Sequence, residues 1–458
     1  KCKTDTAFVM DYLSKEDEEL FRTTTPMTRM IKVSPFEYAD KSQMKDYVLE
    51  EITARYSAET ETTEGDMSWQ EFMELGRNFK GEYLAPVDPD RAVFGAYTSG
   101  STGISKLVIH SSANIVATAY QMSIFIPPSD VQEVWWTPIL PPALIAVTVS
   151  MTIFPLSTGL MVSLDPFCPL ENIDIEFMDR KPNFWALIPL YCEMLMSSER
   201  IPEDYDMSHL RTIGAGAEAM NDRKYAEVEE FFHKHNVQAK LSAGYGQSEG
   251  CSNLTLPNPM FPLEDGCVGM PMTATVLGVF DKDLNELNYG ESGELCMTGP
   301  SMMLHYSGWR GEELTEQTLV EHPDGNTWLH TGDEAYITEQ GIVHILGRGE
   351  IKAYGDKPLH VMRMETKTVR TPGVKDGFFC LVPDQEHEGY YRPYLFVILD
   401  GTKTLEEVAE LLKDTLEEHE YPVEIREITE RPYFHFKTDR KGLTAQILKE
   451  LEQAKEEK

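Results

Sequence analysis

Tyr97-Thr98-Ser99-Gly100-Ser101-Thr102-Gly103-Ile104-Ser105-Lys106 is the stretch on which the reading of this sequence turns. It follows Ala92–Tyr97, a short apolar run with the pattern of a strand. Gly100 and Gly103 let the backbone take positive φ and come close to a ligand. Thr98, Ser99, Ser101 and Thr102 supply hydroxyls beside a run of backbone N–H groups, all of which can donate to phosphate oxygens. Lys106 adds a cation. A Walker A loop needs adjacent Gly and Lys at a different spacing, so this is not one. A plain Ser/Gly/Thr turn is the alternative.

Outward from this loop, short apolar runs alternate with helical patterns. Gly159–Leu164 and Trp185–Ile188 read as strands, Met220 to His235 as an amphipathic helix, and Val237–Tyr245 as the strand after it. This alternation predicts an α/β core. No charged residue lies between Glu133 and Asp165, but Pro138, Pro141, Pro142 and Pro155 interrupt that stretch. A spanning helix wants about 20 mostly apolar residues, so the stretch reads as a buried helix and strand rather than a membrane span. From Ala274 to His330 the texture becomes antiparallel β, with strands at Thr275–Phe280 and Gly293–Met297 and turn signals between. Ile342–Leu346 is another strand, followed by Gly347-Arg348-Gly349. Beyond it the chain reads as a small separate domain. Thr404 and Glu407 have capping-box spacing, Leu405, Val408, Leu411, Leu412 and Leu416 share one helical face, and Leu443, Ile447, Leu448 and Leu451 share another. Residues 1–90 read as mixed and polar, with a Thr-rich acidic loop from Ser57 to Asp66.

The 458 residues are 41% hydrophobic and 26% charged, an ordinary globular composition. Lys plus Arg is 41 and Asp plus Glu is 76, for a net charge of −35. A chain this acidic repels a phosphate backbone and an anionic membrane, which argues against nucleic-acid partners but not against one nucleotide in a local pocket. The 7 cysteines include no C-x-x-C pair. Free thiols and a cytoplasmic, reducing location are expected. The sequence opens at Lys1 without a signal-peptide pattern, and the absence of Met predicts that the native start lies further upstream.

Three further motifs carry chemistry. Gly244-Tyr245-Gly246-Gln247-Ser248-Glu249-Gly250 contains the G-x-S-x-G of a nucleophile elbow, which must lead into a helix. Asn253, Pro257, Pro259 and Pro262 oppose that helix. Glu249 reads instead as a hard oxygen ligand for Mg2+. In Thr331-Gly332-Asp333 a carboxylate follows a Gly turn and can accept two hydrogen bonds from a ribose diol. Lys437-Thr438-Asp439-Arg440-Lys441-Gly442-Leu443 is a charged turn before the last helix. His233-Lys234-His235 offers two imidazoles without a third ligand nearby and reads as an exposed helix end.

In order and spacing these motifs resemble the adenylate-forming superfamily of acyl-CoA synthetases, peptide-synthetase adenylation domains and luciferases. The resemblance runs from about Asp88 to Leu443 and is nearest in type to AMP-forming acyl- or aryl-CoA ligases. Tyr97–Lys106 resembles the family's phosphate loop, Gly214-Ala215-Gly216-Ala217-Glu218 its adenine-side loop, and Tyr245–Glu249 its Y-G-x-T-E motif. Gly266–Pro271, Gly293–Leu295, Thr298–Pro300, Thr331–Asp333, Gly347-Arg348 and Lys437–Arg440 complete the set.

The resemblance implies a large N-terminal α/β domain with stacked sheets and an antiparallel β subdomain (residues 1–347), a hinge (348–350), and a small mobile α+β C-terminal domain (351–458). It implies two steps. A carboxylate attacks the α-phosphate of ATP to give acyl-AMP, and a thiol, usually that of CoA, then takes the acyl group. By position Thr98, Ser99, Gly100, Ser101, Thr102, Gly103 and Lys106 hold phosphates, Gly216, Ala217 and Glu218 flank the base, and Tyr245, Gly246 and Ser248 line the adenine side. Glu249 binds Mg2+, Asp333 and Arg348 hold the ribose, Lys437 bridges the carboxylate and α-phosphate, and Gly355 lines the pantetheine tunnel. ATP or AMP, Mg2+ and CoA are the implied ligands, with a carrier-protein phosphopantetheine as the alternative acceptor and a non-catalytic nucleotide-binding relative as a third possibility.

The sequence departs from the family pattern in places. Ser105 and Leu107 replace the usual Pro and Gly, Ser248 replaces Thr, and Glu350 replaces the hinge Asp with two residues missing before Ile351-Lys352. Phe434-His435-Phe436 replaces the usual Ser-Gly before Lys437. Pro138-Ile139-Leu140-Pro141-Pro142-Ala143 and Ala243 stand where polar or aromatic residues are common, which predicts an apolar aryl or aliphatic acid as substrate.

Overall fold

The computed structural model describes residues 4–25, 27–56, 65–82, 84–98, 105–126, 131–216, 220–256, 266–349, 352–434 and 437–456. Ser99, Gly100, Ser101, Thr102, Gly103, Ala217, Glu218 and Glu350 lie outside the described residues.

The chain is mixed α/β. Its central sheet is parallel and five-stranded, in the order Leu241–Ala243, Thr212–Ala215, Phe184–Leu187, Val134–Pro138, Met161–Asp165. Helices join these strands, and strands covered on both faces need apolar side chains along their whole length. Trp135-Trp136 and Phe184-Trp185 meet that need, and Trp136, Phe177, Trp185 and Tyr191 form the centre of the main core. The charge-poor stretch supplies the strand Val134–Pro138, a π-helical segment Ala146–Ile153 running into the helix Phe154–Ser157, and the strand Met161–Asp165. Among the described residues no helix is long and apolar enough to cross a membrane.

A second five-stranded sheet is antiparallel. It runs Val276–Phe280, Gly293–Thr298, Thr327–Ile337, Leu319–Glu321, and Val343–Arg348 pairs with the other part of the long Thr327–Ile337 strand. Val279, Leu295, Met297, Leu329 and Val343 build its core. A three-stranded antiparallel sheet sets Leu107–Ser111 between Ala92–Tyr97 and His305–Ser307.

Towards the C-terminus, Val374–Pro383 and Tyr391–Leu399 pair antiparallel and Glu424–Glu427 adds in parallel. Their two faces are covered separately. Val408, Leu412 and Leu416 of the capped helix Leu405–Thr415 pack on one, and Ile447, Leu443, Leu448 and Leu451 of Arg440–Glu456 on the other.

Four sequence expectations change. The strand predicted over Val237–Tyr245 is only Leu241–Ala243, with Gly244 N–H making the last bond to the neighbouring strand at Ala215 O. The strand predicted to end at Leu346 continues through Gly347 and Arg348, which pair with Glu334 and Asp333. Residues 1–90, read as merely mixed and polar, contain a parallel sheet of Thr6–Met10, Arg29–Val33 and Met67–Ser68. His235 is buried, not exposed: its Nδ1 lies 2.8 Å from Phe231 O and its ring packs on Phe231, so the helix end is sealed by that histidine.

Candidate nucleotide site

The motif residues gather at the carboxyl ends of the central strands, where open α/β sheets bind ligands. Gly216 follows the strand Thr212–Ala215 and donates to Leu187 O, and Tyr245 follows the neighbouring strand.

Thr98, at the end of Ala92–Tyr97, is tied to Ser105 and Lys106 across the Ser/Gly/Thr stretch. Its hydroxyl accepts from Lys106 N–H at 3.0 Å, its N–H donates to Lys106 O, and Ser105 Oγ donates to its carbonyl. Lys106 therefore has a fixed origin at the loop's far side. Its Nζ lies 2.9 Å from Tyr306 Oη, and Tyr306 Oη donates to Glu249 Oε1 at 2.6 Å. Lys106 Nζ is itself 3.6 Å from Glu249 Oε1. Tyr306 reaches this position because its strand pairs with Leu107–Ser111, placing Tyr306 opposite Val108.

Glu249 stands in a tight turn. Ser248–Gly250 form a single 3-10 turn, followed by Cys251 at φ 59° and Ser252 at φ 99°. Left-handed backbone on residues with a Cβ is strained and is found at functional sites. Gly246 is required by the return strand, since a Cβ there would lie 1.8 Å from Ser252 O. The turn is gripped from outside by His110 Nε2 on Ser248 O at 2.8 Å and by Met303 N–H on Glu249 O. It leads into strand, not helix, so no nucleophile elbow forms. Burial pushes His110 below the usual imidazole range and the Tyr306 hydroxyl above the usual phenol range, Glu249 adding to the latter.

The second cluster centres on Asp333, only 4% exposed. Gly332, at φ 71°, kinks the long strand at this point, and Gly332 N–H donates to Glu294 Oε1. Thr331 Oγ1 donates to Leu295 O and accepts from Asp333 N–H, which holds the backbone from which the carboxylate projects. The Tyr245 hydroxyl donates to Asp333 Oδ2, and Arg348 Nε approaches Oδ1 at 3.8 Å. Burial raises the Asp333 pKa and the nearby Glu249 adds to it. Arg348, the Tyr245 hydroxyl and Lys437 pull it back. Burial and the Asp333 charge drive the Tyr245 hydroxyl the same way, well above its ordinary range.

Lys437 thus lies within electrostatic reach of Asp333 although its sequence neighbours belong to the C-terminal core. It sits on a hairpin in which Lys437 pairs with Phe434. Arg431 grips Asp376 with two nitrogens at 2.9 and 2.6 Å and Thr438 Oγ1 at 2.9 Å. Tyr433 Oη donates across to Glu193 on the helix Pro189–Met196. Gly355 occupies a hairpin turn at φ 69°, where an added Cβ meets nothing nearer than the Tyr390 ring at 3.8 Å, so conformation explains that glycine here.

The structure brings together Thr98, Lys106, Tyr245, Glu249, Asp333, Arg348 and Lys437 and adds two residues the sequence did not single out, Tyr306 and His110. Both come from strand pairing and turn packing, and neither has a local motif.

Comparison with known proteins identifies the family. The family described as AMP-binding enzyme matches residues 20–307. A long-chain-fatty-acid–CoA ligase of Escherichia coli O157:H7 is 27% identical over 320 residues, 68% of this chain and 54% of that protein. 4-Coumarate–CoA ligase 2 of Nicotiana tabacum is 25% identical over 337 residues, 70% of this chain and 58% of that protein. The match to each thus spans less than two thirds of its length. The crystal structure of ATP-bound MatB from Rhodopseudomonas palustris shares the fold, with a TM-score of 0.75 over 98% of this chain and 90% of that one at 19% identity. With the family match covering most of its length and the motif residues converging on one site, the chain belongs to the AMP-binding enzyme family.

Proposed function

We propose that this protein is an AMP-forming carboxylate ligase that activates an apolar acid with ATP and passes the acyl group to the thiol of CoA. One observation carries the reading: Glu249 and Asp333 are both buried, Glu249 lies close enough to help raise the Asp333 pKa, and Lys437, brought from the C-terminal core, acts on Asp333 in the opposite sense. An acidic protein that must hold a polyanion beside a second anion needs such an arrangement of cations and hard ligands.

In the first step a substrate carboxylate oxygen attacks the α-phosphorus. The bond to the bridging oxygen of the β-phosphate breaks and pyrophosphate leaves. Lys437, a compact point charge, stabilises the charge that gathers between the carboxylate and the α-phosphate. Lys106 and the loop Thr98–Gly103 hold the β- and γ-phosphates. Asp333, oriented by Thr331 and Tyr245, accepts the ribose hydroxyls, with Arg348 beside it. Gly216, Ala217, Glu218, Gly246 and Ser248 flank the base. Glu249 fits Mg2+, being a buried hard oxygen donor, and bound Mg2+ would neutralise phosphate charge. In the second step the CoA thiolate attacks the acyl carbon, the bond to AMP breaks and AMP leaves. Residues 351–458, hinged at 348–350, withdraw Lys437 for this step and bring Gly355 to the thiol's path. Ala243, buried at the end of its strand, and Ile139 and Leu140, packed on the same core, support an apolar acid.

The test is pyrophosphate release with ATP, Mg2+ and a panel of aryl and aliphatic acids, with and without CoA. Acid-dependent release with CoA-dependent turnover is expected. Nucleotide binding without release for any acid would overturn the reading, and release without a CoA thioester would overturn CoA as acceptor.

Tyr306→Phe addresses the Glu249 cluster. Without the hydroxyl, Lys106 loses its 2.9 Å partner and closes on Glu249, where it competes with the cation. Removing an orienting partner of a metal ligand typically costs 10–100-fold in affinity. The Mg2+ concentration giving half-maximal release is expected to rise about tenfold. An unchanged Mg2+ dependence would show that Glu249 does not meet the ion.

A further inference from the structure

Next to the Asp333 turn, whose Gly332 N–H donates to Glu294, the antiparallel sheet gathers three metal-ligating side chains. Cys296 on the strand Gly293–Thr298 pairs in register with His330 on Thr327–Ile337. His322 follows the strand Leu319–Glu321, and its N–H donates to Asn326 O, which folds the hairpin back. This places His322 Nε2 2.9 Å from His330 Nε2. One ligand atom from each of Cys296, His322 and His330 lies within 4.8 Å of the other two. Cys296 is 0% and His322 3% exposed, and the rings of Phe280 and Trp328 wall the histidine at 4.5 and 5.8 Å.

Two details set this cluster apart from a satisfied polar network. His330 Nδ1 lies 2.8 Å from Glu294 Oε2. A histidine that binds a metal usually donates its second N–H to a carboxylate in this way, which turns the lone pair of the other nitrogen towards the ion. Here that nitrogen is Nε2, aimed at His322 and Cys296. Within the protein alone, His322 Nε2 must then donate to His330 Nε2, and His322 Nδ1 is left buried without a hydrogen-bond partner. A metal bound through His322 Nε2 would place the ring's proton on Nδ1, so the mark of a site is the face-to-face approach of the two Nε2 atoms, held together in the metal-free protein by one shared proton.

We propose that Cys296, His322 and His330 form a Zn2+ site in which Glu294 orients His330. One thiolate and two imidazoles are a borderline-soft donor set suited to this d10 cation. With Zn–N bonds of about 2.0–2.1 Å, an ion shared by nitrogens 2.9 Å apart subtends an angle of about 90°, and a small separation of the rings makes it tetrahedral. The ion takes three protein ligands and a water on the side where His330 is partly exposed. Binding releases the Cys296 thiol proton to solvent and leaves a thiolate–metal bond. The site would clip the hairpin carrying His322 to the central strands of the antiparallel sheet.

The full chain, stripped with a chelator, is titrated with Co2+ as a spectroscopic probe and then with Zn2+. Saturable uptake of a single Co2+ per chain is expected, with a thiolate-to-cobalt charge-transfer band, displacement by Zn2+ and a raised melting temperature. The band is lost in Cys296→Ser. Glu294→Gln keeps it at saturation but weakens binding about 10–100-fold. Because Cys296 is wholly buried, His322→Gln provides a second variant should the serine fail to fold, and it also abolishes tight uptake. Absence of the band in the wild type at saturating Co2+, or its persistence in His322→Gln, overturns the proposal.

Discussion

Lys437→Ala is expected to lower acid-dependent pyrophosphate release by about 10²–10³-fold, the loss typical when one preorganised charge-stabilising donor is removed. The size follows from where the charge sits. Lys437 acts on a buried carboxylate, in surroundings that screen it far less than water does. The substitution keeps the anchors of its scaffold, because Arg431 on Asp376 and Thr438 and Tyr433 on Glu193 also hold the hairpin. Alanine therefore removes an ammonium without moving the strand. Thioester formation from a supplied acyl-adenylate is expected to stay within a few-fold of wild type, because that step has no charge developing at phosphorus. Pyrophosphate release and single-turnover transfer from synthetic acyl-adenylate, measured side by side, make the comparison. Equal losses in both steps would assign Lys437 a general structural part instead.

Asp333→Asn separates function from stability. A charged acceptor facing a ribose diol contributes about 1.5–3 kcal/mol per hydrogen bond, so loss of the charge should weaken ATP and AMP binding about 10²-fold. The fold responds in the opposite sense. Burial raises the Asp333 pKa, so the folded protein favours the protonated carboxyl. The stability this group contributes is present below the ordinary carboxylate range and is lost as pH rises through the raised folded value. At neutral pH the ionised side chain subtracts from stability, and asparagine removes that burden while keeping the shape. Without nucleotide the variant is expected to melt at or above the wild-type temperature near pH 7, and wild type should gain on it as pH falls. Nucleotide titration and thermal melts across pH test both halves. A variant that melts lower at neutral pH and still binds ATP normally would contradict the account on both counts.

Much of the site was legible because its motifs are local. A glycine-rich loop after a strand, a Tyr-Gly turn ending in Glu249 and a Gly-kinked strand carrying Asp333 each hold their chemistry within a few residues. What escaped the sequence depends on partners far along the chain. Tyr306 matters only because its strand pairs with Leu107–Ser111, some 200 residues away by the separation of Tyr306 from Lys106. His110 reads as one polar residue in an apolar strand until the Glu249 turn settles over it. The N-terminal sheet was missed because Thr6–Met10 and Arg29–Val33 become a sheet through parallel pairing, which leaves no hairpin signature. Gly347-Arg348 looks like a turn, yet the pull of Asp333 and Glu334 across the ladder keeps it extended. His235, last of a charged run, is buried by the aromatic ring one turn before it.

Tyr433, on the hairpin that carries Lys437, bonds Glu193 at 3.1 Å, and Arg223 of the neighbouring helix bonds Val374 O on the strand Val374–Pro383. Net contributions of such bonds are about 0.5–1.5 kcal/mol each. One such bond biases a two-state balance by up to about tenfold, 1.4 kcal/mol being one decade. In the proposed two-step reaction the docked arrangement is one of two states, and its occupancy would be set by what lies beneath the arm. An anion between Lys437 and Asp333 would draw it down, and an emptied or neutralised site would let it go. Tyr433 and Glu193 would thus act as the spring of a reversible clasp, fixing how long the lysine dwells over the site as well as where it rests.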